Sequence, residues 1–311
     1  MTTHEDMIAF QSQNHDLINM DKIRTKEEYI NHLEHTFAYE QIAKICNNKI
    51  VLDLGCNTGY GTFLLSKNAR RIVGVDVSLK AITRAKSLYH ADNLEFIHTD
   101  GKTVPIADRS FDVIVAFQIL EHIVDYDLII SEIKRILIPQ GICILTTPNA
   151  KIRLDPDMAP WNPFHVREFS DAELQKFLRK YFSVVKIIGL YADSTLYDIE
   201  INRLNRIRAI FKERNNNQKS LSGLIRGQFD KIIPRQFYYN CKRIYKTLEA
   251  RIKKTETPFT INQEFMDRYT TNNFYYRDDK LDFALDLLAI CSADQDELNK
   301  VHKQILNESN K

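Results

Sequence analysis

The segment at residues 50–61 constrains the fold of this chain more than any other. A short apolar run ends just after the carboxylate of Asp53, three glycines follow, and an apolar pattern of helical type begins at Phe63. This order predicts a β-strand, a glycine-rich turn and the start of an α-helix. Glycine turns at helix N-termini bind ligands, most often phosphates. The segment therefore predicts an α/β fold with a ligand site at the end of its first strand.

The spacing of the glycines and two nearby acids narrow the choice of ligand. The dinucleotide pattern G-x-G-x-x-G, started at Gly55, needs glycine at the positions of Asn57 and Tyr60. The charge of Asp53 would repel a phosphate and attract a ligand that carries an amine and a sulfonium. Asp76 ends the next apolar run about 20 residues after Gly55, which is the spacing of an acid that binds ribose hydroxyls in such units.

Together these residues resemble the glycine loop of the class I S-adenosylmethionine-dependent methyltransferases. The family usually has glycine where this chain has Asn57, and asparagine also tolerates the left-handed backbone conformation. The resemblance implies S-adenosyl-L-methionine as the cofactor and an α/β fold with a Rossmann-like, doubly wound, seven-stranded and mostly parallel sheet. The alternative is a βα turn that binds no nucleotide and whose glycines are incidental.

The resemblance also assigns cofactor-binding positions, which follow the first four strands. They are Asp53, Gly55, Cys56, Asn57, Gly59, Asp76, Val77, Asp100, Gly101 and Gln118. In the family an acid at the place of Asp100 faces the exocyclic amine of adenine. Because Asp-Gly is common in turns, a role in forming the turn stays open for Asp100.

Three polar residues are candidates for the chemistry of the methyl acceptor. Glu121 and His122 follow the apolar run 113–117 and resemble the family's Leu-Glu-His segment at the carboxyl edge of the sheet. His165 lies in a long loop that resembles a subgroup of these enzymes found in cell-surface polysaccharide biosynthesis. For a sugar hydroxyl, His165 is the first candidate to accept the proton, His122 the second, and Glu121 is tested with it. Each histidine could instead hold its loop through hydrogen bonds. No metal site is predicted.

The remaining patterns divide the chain into a core and two appendages. Residues 1–45 predict an N-terminal helical cap, 46–194 and 271–311 the cofactor-binding core, and 195–270 a basic helical insertion. Four cap residues could reach the cofactor: Tyr29, His32, His35 and Tyr39. In the core, residues 184–191 predict the sixth strand and 281–288 a helix. The strand at 273–277 is expected to enter antiparallel between the fifth and sixth strands.

The insertion contains an unusual charge run that bears on the partner. Residues 201–254 hold 15 Lys or Arg and 3 Asp or Glu, although the whole chain has a net charge of +2. With interleaved aromatic residues this run suits an anionic membrane surface that carries a lipid-linked glycan, or RNA. A solvated helical lid is the simpler alternative. The fourth strand is followed by residues 117–120, which lack the Asn-Pro-Pro-aromatic motif of nucleobase amine methylation, so a nucleic-acid partner is less favoured.

These observations predict a methyltransferase that modifies an oxygen of a glycan, glycolipid or small metabolite. Two alternatives stay open: a methyltransferase-like subunit that binds without turnover, and an RNA ribose methyltransferase. The N-terminal residues lack the features of a secretion signal and no apolar run reaches the ~18 residues of a membrane span, which predicts a cytoplasmic protein with possible peripheral membrane contact. The 5 cysteines are scattered, which favours neither disulfides nor a zinc site.

Overall fold

The computed structural model describes residues 8, 12, 13, 23–156, 158–162, 164–218 and 261–309. Within these residues the strands are β1 Ile50–Leu54, β2 Arg71–Asp76, β3 Leu94–His98, β4 Phe111–Phe117, β5 Leu137–Pro148, β6 Val184–Ala192, β7 Phe274–Arg277 and β8 Asp286–Ser292. The α-helices that follow residue 23 are α1 Lys26–Ile42, α2 Tyr60–Ser66, α3 Leu79–Leu88, α4 Tyr126–Ile136, α5 Ala150–Arg153, α6 Asp171–Leu178, α7 Ser194–Gln218, α8 Gln263–Arg268 and α9 Gln295–Ser309. Short 3₁₀ turns cover Leu120–His122, Thr271–Asn273 and Leu281–Phe283.

The strands form one mostly parallel sheet in the order β3-β2-β1-β4-β5-β8-β6-β7. The pairs β1–β2, β2–β3, β1–β4 and β4–β5 are parallel, whereas β8 is antiparallel to both β5 and β6. The strand order reverses between β1 and β4. In open α/β sheets ligands bind outside the carboxyl ends of the strands at such a reversal. The fold therefore places a binding crevice where the glycine turn leaves β1.

Both faces of the sheet are covered, so successive residues of a strand belong to different cores. Val51 and Val113 pack with α1, α2, α7 and α9, whereas their neighbours Leu52 and Ile114 pack with α4 and α6. This arrangement explains why the strands are nearly continuous apolar runs. The doubly wound, Rossmann-like architecture that the sequence predicts is confirmed.

Helix α1 carries the predicted apolar face. Its side chains Ile30, Leu33, Phe37 and Ile42 are all buried in the core. A capping box starts the helix, because the Thr25 side chain accepts a hydrogen bond from the N–H of Glu28 and the Glu28 carboxylate accepts one from the N–H of Thr25. The capping box thus fixes where the helix begins, and the buried side chains hold the helix against the core.

The C-terminal part of the core differs from the sequence prediction. Residues 281–288 were expected to form a helix, but only Leu281–Phe283 make a 3₁₀ turn and Asp286–Ser292 form strand β8. The strand between β5 and β6 is β8, and β7 lies at the edge of the sheet, so the sheet has eight strands and not seven. A short apolar run fits a buried helix and a strand equally well by periodicity, which explains the error.

The predicted insertion is only partly described. It starts with α7 and ends with α8, and the hydroxyl of Tyr29 in α1 donates a hydrogen bond to the carbonyl oxygen of Tyr269 just after α8. Residues 219–260, which contain the larger part of the basic run, lie outside the described residues. The domain boundaries and the partner of the basic run therefore stay predictions. In the described part of the chain, no helix is long and apolar enough to cross a membrane.

Candidate active site

A cavity opens at the carboxyl ends of β1, β2 and β4, at the reversal of strand order. Many of the residues predicted from the sequence line it. They are Gly55, Cys56, Asn57, Asp76, Val77, Gly101, Gln118 and His122. His35 and Tyr39 of α1 also line it, as expected for the cap, whereas Tyr29 and His32 do not.

The glycine loop needs a backbone that only small or flexible residues adopt. Gly55 has φ 80° and its N–H donates to the carbonyl oxygen of Val75, which ties the loop to β2. A β-carbon on Gly55 would lie 2.1 Å from Cδ1 of Ile119, so any side chain there would push Ile119 out of its place. Asn57 is left-handed at φ 47°, as the sequence allows. Gly59 also has positive φ, but it lies against Phe96 and does not line the cavity.

Asp76 connects the loop to the cavity. Its Oδ2 accepts the N–H of Asn57 at 2.9 Å and its Oδ1 accepts the N–H of Ser78 at 2.8 Å. Each carboxylate oxygen has a second acceptor site. Asp76 can therefore hold the glycine loop and still accept hydrogen bonds from ligand hydroxyls.

Asp53 has a different role from the one expected from the sequence. It is fully buried and accepts hydrogen bonds from Tyr39 Oη at 3.2 Å and from Thr62 Oγ1 at 2.6 Å. Burial raises the pKa of its carboxyl to about 7. Because it points to the face covered by α1 and α2, it fastens the cap to the glycine loop and does not meet a ligand's positive charge directly.

Asp100 lies at the rim and not in the cavity. Its exposed carboxylate accepts the N–H groups of Lys102 at 2.9 Å and Thr103 at 3.0 Å, and these backbone hydrogen bonds lower its pKa. This is the turn role that the sequence left open. The next residue, Gly101, has φ 77° and does line the cavity.

His165, the first candidate from the sequence, lies behind the cavity. Its Nδ1 is 2.7 Å from Glu168 Oε1 and its Nε2 is 2.9 Å from Asn162 Nδ2. Asn162 Oδ1 accepts the N–H of Phe164, which fixes the amide so that Nδ2 donates to His165. Both ring nitrogens of His165 are thus used within the protein. His165 supports the loop and does not border the cavity.

Of the two candidate histidines, His122 is the one that lines the cavity. Its Nδ1 is 2.9 Å from the carbonyl oxygen of Phe164. A carbonyl oxygen only accepts, so Nδ1 carries the hydrogen and Nε2 is the basic nitrogen. The ring of His165 contacts that of His122 edge to face, with centroids 4.9 Å apart. The structure therefore reverses the order of the two candidates.

Glu121 anchors the loop beneath these rings. It is buried, its Oε2 accepts Thr147 Oγ1 at 3.0 Å, and its carbonyl oxygen accepts the N–H of Val166 at 2.7 Å. Burial raises the pKa of its carboxyl to about 8. In the described part of the chain, Glu121, His122 and His165 each offer one possible metal-ligand atom within 4.8 Å of one another. Glu121 already accepts a hydrogen bond from Thr147, and both ring nitrogens of His165 already contact Glu168 and Asn162.

Comparison with known proteins relates part of the chain to methyltransferases. Residues 52–145 match the model of the methyltransferase domain. A Mycolicibacterium smegmatis protein described as a probable S-adenosylmethionine-dependent methyltransferase is 33% identical over 168 residues, which are 53% of this chain and 64% of that relative. Residues 52–145 thus match a methyltransferase domain, and about half of the chain is similar to probable S-adenosylmethionine-dependent methyltransferases. The description of this relative mentions no polysaccharide, so the polysaccharide-biosynthesis subgroup stays a prediction.

Two further likenesses to this methyltransferase domain are more distant. The fatty-acid O-methyltransferase of M. smegmatis is 23% identical over 158 residues, covering 50% of this chain and 55% of that relative. The crystal structure of YcgJ from Bacillus subtilis superposes with a TM-score of 0.47 at 16% identity, covering 84% of this chain and 99% of that one. The chain thus spans less than two thirds of the length of each of the two M. smegmatis relatives.

The methyltransferase relatives and the fold imply S-adenosyl-L-methionine as the cofactor, and the residues present fit it. Asp76 supplies carboxylate oxygens for ribose hydroxyls, and the apolar side chains of Val77 and Ile119 line the same cavity. A β-carbon on Gly101 would lie 2.8 Å from Cδ1 of Ile8, so glycine keeps this wall of the cavity free of a side chain.

The sequence analysis assigned no role to Asp286. Gln118, which lines the cavity with φ 55°, donates from Nε2 to Asp286 Oδ2 at 2.8 Å. Asp286 is the first residue of β8, and the segment was expected to be helical. Asp286 comes directly before an apolar run and shortly after a turn, and this position is the signal that could have indicated it. Asp53 and Asp76 were found by the related signal of an acid at the end of an apolar run.

The buried acids predict that the protein loses stability between about pH 5 and pH 8. Burial raises the pKa of Asp53 to about 7, of Glu121 to about 8 and of Asp286 to about 7. In this window the folded protein holds protons that the unfolded chain has released, so the free energy of unfolding falls as the pH rises. Burial lowers the pKa of His32 to about 4 and also lowers that of His302, and these two histidines act in the opposite direction below about pH 6.5.

Urea denaturation across this pH range measures the effect. Glu121→Gln removes one of the buried protons and should reduce the slope by about 1 kcal/mol per pH unit. Glu40→Gln, at an exposed position of α1, is the matched control and should leave the slope unchanged. A free energy of unfolding that rises from pH 5 to pH 8 would contradict the assignment of these protons.

Proposed function

We propose that this protein transfers the methyl group of S-adenosylmethionine to an oxygen atom of an acceptor that binds beside His122. The observation that carries the proposal is that His122 lines the same cavity as the glycine loop and Asp76. A basic nitrogen next to the cofactor site suits an acceptor that must lose a proton, such as a hydroxyl.

The chemistry demands little of the protein beyond alignment and one proton transfer. When bound, S-adenosylmethionine supplies a methyl group that its positive sulfur has already activated. Asp76 orients the ribose, and the apolar side chains of Ile119, Ile123 and Phe117 around the cavity exclude water. Nε2 of His122 takes the hydroxyl proton, while the carbonyl oxygen of Phe164 holds the ring in place through Nδ1.

An acceptor oxygen on a glycan, glycolipid or small metabolite agrees with these features. One relative is named a fatty-acid O-methyltransferase and another a ubiquinone biosynthesis O-methyltransferase, so oxygen acceptors occur among the related proteins. Neither a subunit without turnover nor an RNA ribose methyltransferase is favoured by the names of these relatives. The basic run at 201–254 would bring the enzyme to an anionic membrane surface that presents such an acceptor.

Calorimetry on the purified chain tests the proposal at its first step. S-adenosylmethionine should bind and NAD should not. Asp76→Ala should weaken S-adenosylmethionine binding by about 1.5–3 kcal/mol, because hydrogen bonds to a charged carboxylate are lost. Asp92→Ala, at an exposed position, is the control and should bind like the wild type. NAD binding as tightly as S-adenosylmethionine, or an Asp76→Ala variant of unchanged affinity, would overturn the cofactor assignment.

A further inference from the structure

A cluster of charged side chains lies next to the Gln118 end of the cavity. We call it the buried charged cluster, and its members are Glu34, Arg153, Glu168, Glu200, Arg203 and Asp286. Four of them are only 5–9% exposed, namely Glu34, Arg153, Glu168 and Glu200. The cluster joins α1, α5, α7, β8 and the loop that carries Glu168. So many buried charges need partners, since an isolated charge in a protein interior is very costly.

The cations of this cluster are paired, but two of its acids are not. Arg153 Nε donates to Glu168 Oε2 at 2.9 Å, and Arg203 Nε donates to Glu200 Oε2 at 2.7 Å. Among the described residues, Glu34 and Asp286 form no salt bridge, and Asp286 has only the amide of Gln118. Burial raises the pKa of Glu34 well above its usual range and that of Asp286 to about 7, and the nearby charge of Arg153 lowers both pKa values without cancelling this effect. The cluster is short of positive charge.

Two polar atoms at the cluster also lack hydrogen-bond partners within the described residues. They are Oε1 of Glu34 and Nε1 of Trp161, and both side chains are buried. The indole ring belongs to the cluster, because the guanidinium carbons of Arg153 and Arg203 lie 4.4 and 6.0 Å from its centroid. A buried polar atom without a partner loses the hydrogen bonds that it makes to water in the unfolded chain, and folded proteins leave few such atoms. One acceptor and one donor are thus left for a ligand.

The cluster adjoins the cavity at two points. Gln118 lines the cavity and donates to Asp286 on one side. On the other side, Glu168 of the cluster holds His165, whose ring contacts His122. The cluster is therefore connected to the cofactor cavity through Gln118, and to His122 through Glu168 and His165.

We propose that the buried charged cluster binds an amino alcohol, such as a 2-amino sugar, as part of the methyl acceptor. The ammonium group pairs with Glu34 and Asp286, and a neighbouring hydroxyl oxygen accepts the indole N–H of Trp161. The inference rests on the proposed function, because it specifies the acceptor of the same reaction. It is narrower than that function, which requires only an acceptor oxygen.

Trp161 is itself the reporter for the test, because it is the single tryptophan of the chain. We would titrate the full-length protein with glucosamine and, as the matched neutral probe, with glucose, and record tryptophan emission at neutral pH. Glucosamine should change the emission in a saturable way, and glucose should bind at least tenfold more weakly. Glu34→Gln should weaken the response to glucosamine at least tenfold, whereas Glu40→Gln, at an exposed position on the same helix, should not change it.

Three results would overturn the inference. Equal responses to both sugars would remove the role of the ammonium group, and no saturable response would remove the site. Competition of S-adenosylmethionine with glucosamine would assign the cluster to the cofactor. If Glu34→Gln does not fold, Asp286→Asn tests the same pairing. Calorimetry with S-adenosylmethionine needs no sugar and therefore tests the proposed function separately. If S-adenosylmethionine binds but glucosamine gives no response, only this inference is wrong. If glucosamine gives a response but S-adenosylmethionine does not bind, the proposed function is wrong.

Discussion

Replacing His122 by alanine should lower the rate of methyl transfer by about 10²–10⁴ and leave the affinity for S-adenosylmethionine nearly unchanged. General-base contributions usually fall in this range. His122 lines the cavity with Nε2 as its basic nitrogen. Asp76, which is proposed to hold the cofactor, is fixed by the N–H groups of Asn57 and Ser78 and not by the His122 ring. The measurement is the release of S-adenosylhomocysteine in the presence of a lipid and glycan extract, together with calorimetry of cofactor binding.

Two companion variants make this prediction specific. His90→Ala changes an exposed histidine and should keep full activity. His165→Ala removes a ring that packs on His122, so it should reduce the rate less than His122→Ala does. If His165→Ala were the more damaging at unchanged cofactor affinity, the order of the two histidines expected from the sequence would be restored. An active His122→Ala enzyme would indicate an acceptor that arrives ionised, where alignment alone suffices.

Several of the predicted cofactor residues line one cavity, and the local backbone determines their positions. Gly55, Asn57 and Gly101 have positive φ, and this requirement limits the residue types at those positions. Asp76 can be predicted as a cavity residue because it lies at the end of a parallel strand, where the binding crevice of such a sheet is found. These positions need no knowledge of distant segments, and the structure places all four in the cavity.

The candidate residues that lie away from the cavity do so because a distant segment covers their side chains. Asp53 has the same strand-end position as Asp76, yet the hydroxyl of Tyr39 from α1 covers it. The order of His165 and His122 depends on Asn162 and Glu168, whose contacts occupy one ring and leave the other at the cavity. The local sequence pattern indicates which residue lies at the end of a strand, but it does not indicate which distant side chain will contact that residue.

Long-range pairing also explains why the buried charged cluster could not be predicted. Gln118 and Asp286 are 168 positions apart in the chain. Glu34 and Glu200 lie in α1 and α7, which are separated in the chain by strands β1 to β6. The misassigned segment 281–288 hid Asp286, because a helix there would not bring its carboxylate to the end of β4. Only the antiparallel pairing of β8 with β5 does so, through the register Pro148↔Asp286.

The largest loss of stability is expected for Arg153→Met. Burial alone would raise the pKa of Glu168, but Arg153 and His165 outweigh it and hold this pKa at about 2, so Glu168 is a buried carboxylate. Removing Arg153 leaves that charge without its cation, which costs about 3–5 kcal/mol in comparable buried pairs. The exposed pair Arg167–Glu173, at 3.2 Å, provides the control: Arg167→Met should cost less than about 1 kcal/mol.

Urea denaturation of the two variants and of the double variant Arg153→Met/Glu168→Gln distinguishes charge from packing. The double variant should recover much of the loss, because it removes the unpaired carboxylate as well as the cation. The difference between the wild type and Arg153→Met should also shrink as the pH falls from about 5 towards 2. A carboxyl with a lowered pKa contributes stability above its unfolded pKa, and this contribution disappears as it is protonated. If the double variant were no more stable than Arg153→Met, the loss would come from the contact of Arg153 with the Trp161 ring and not from the buried charge of Glu168.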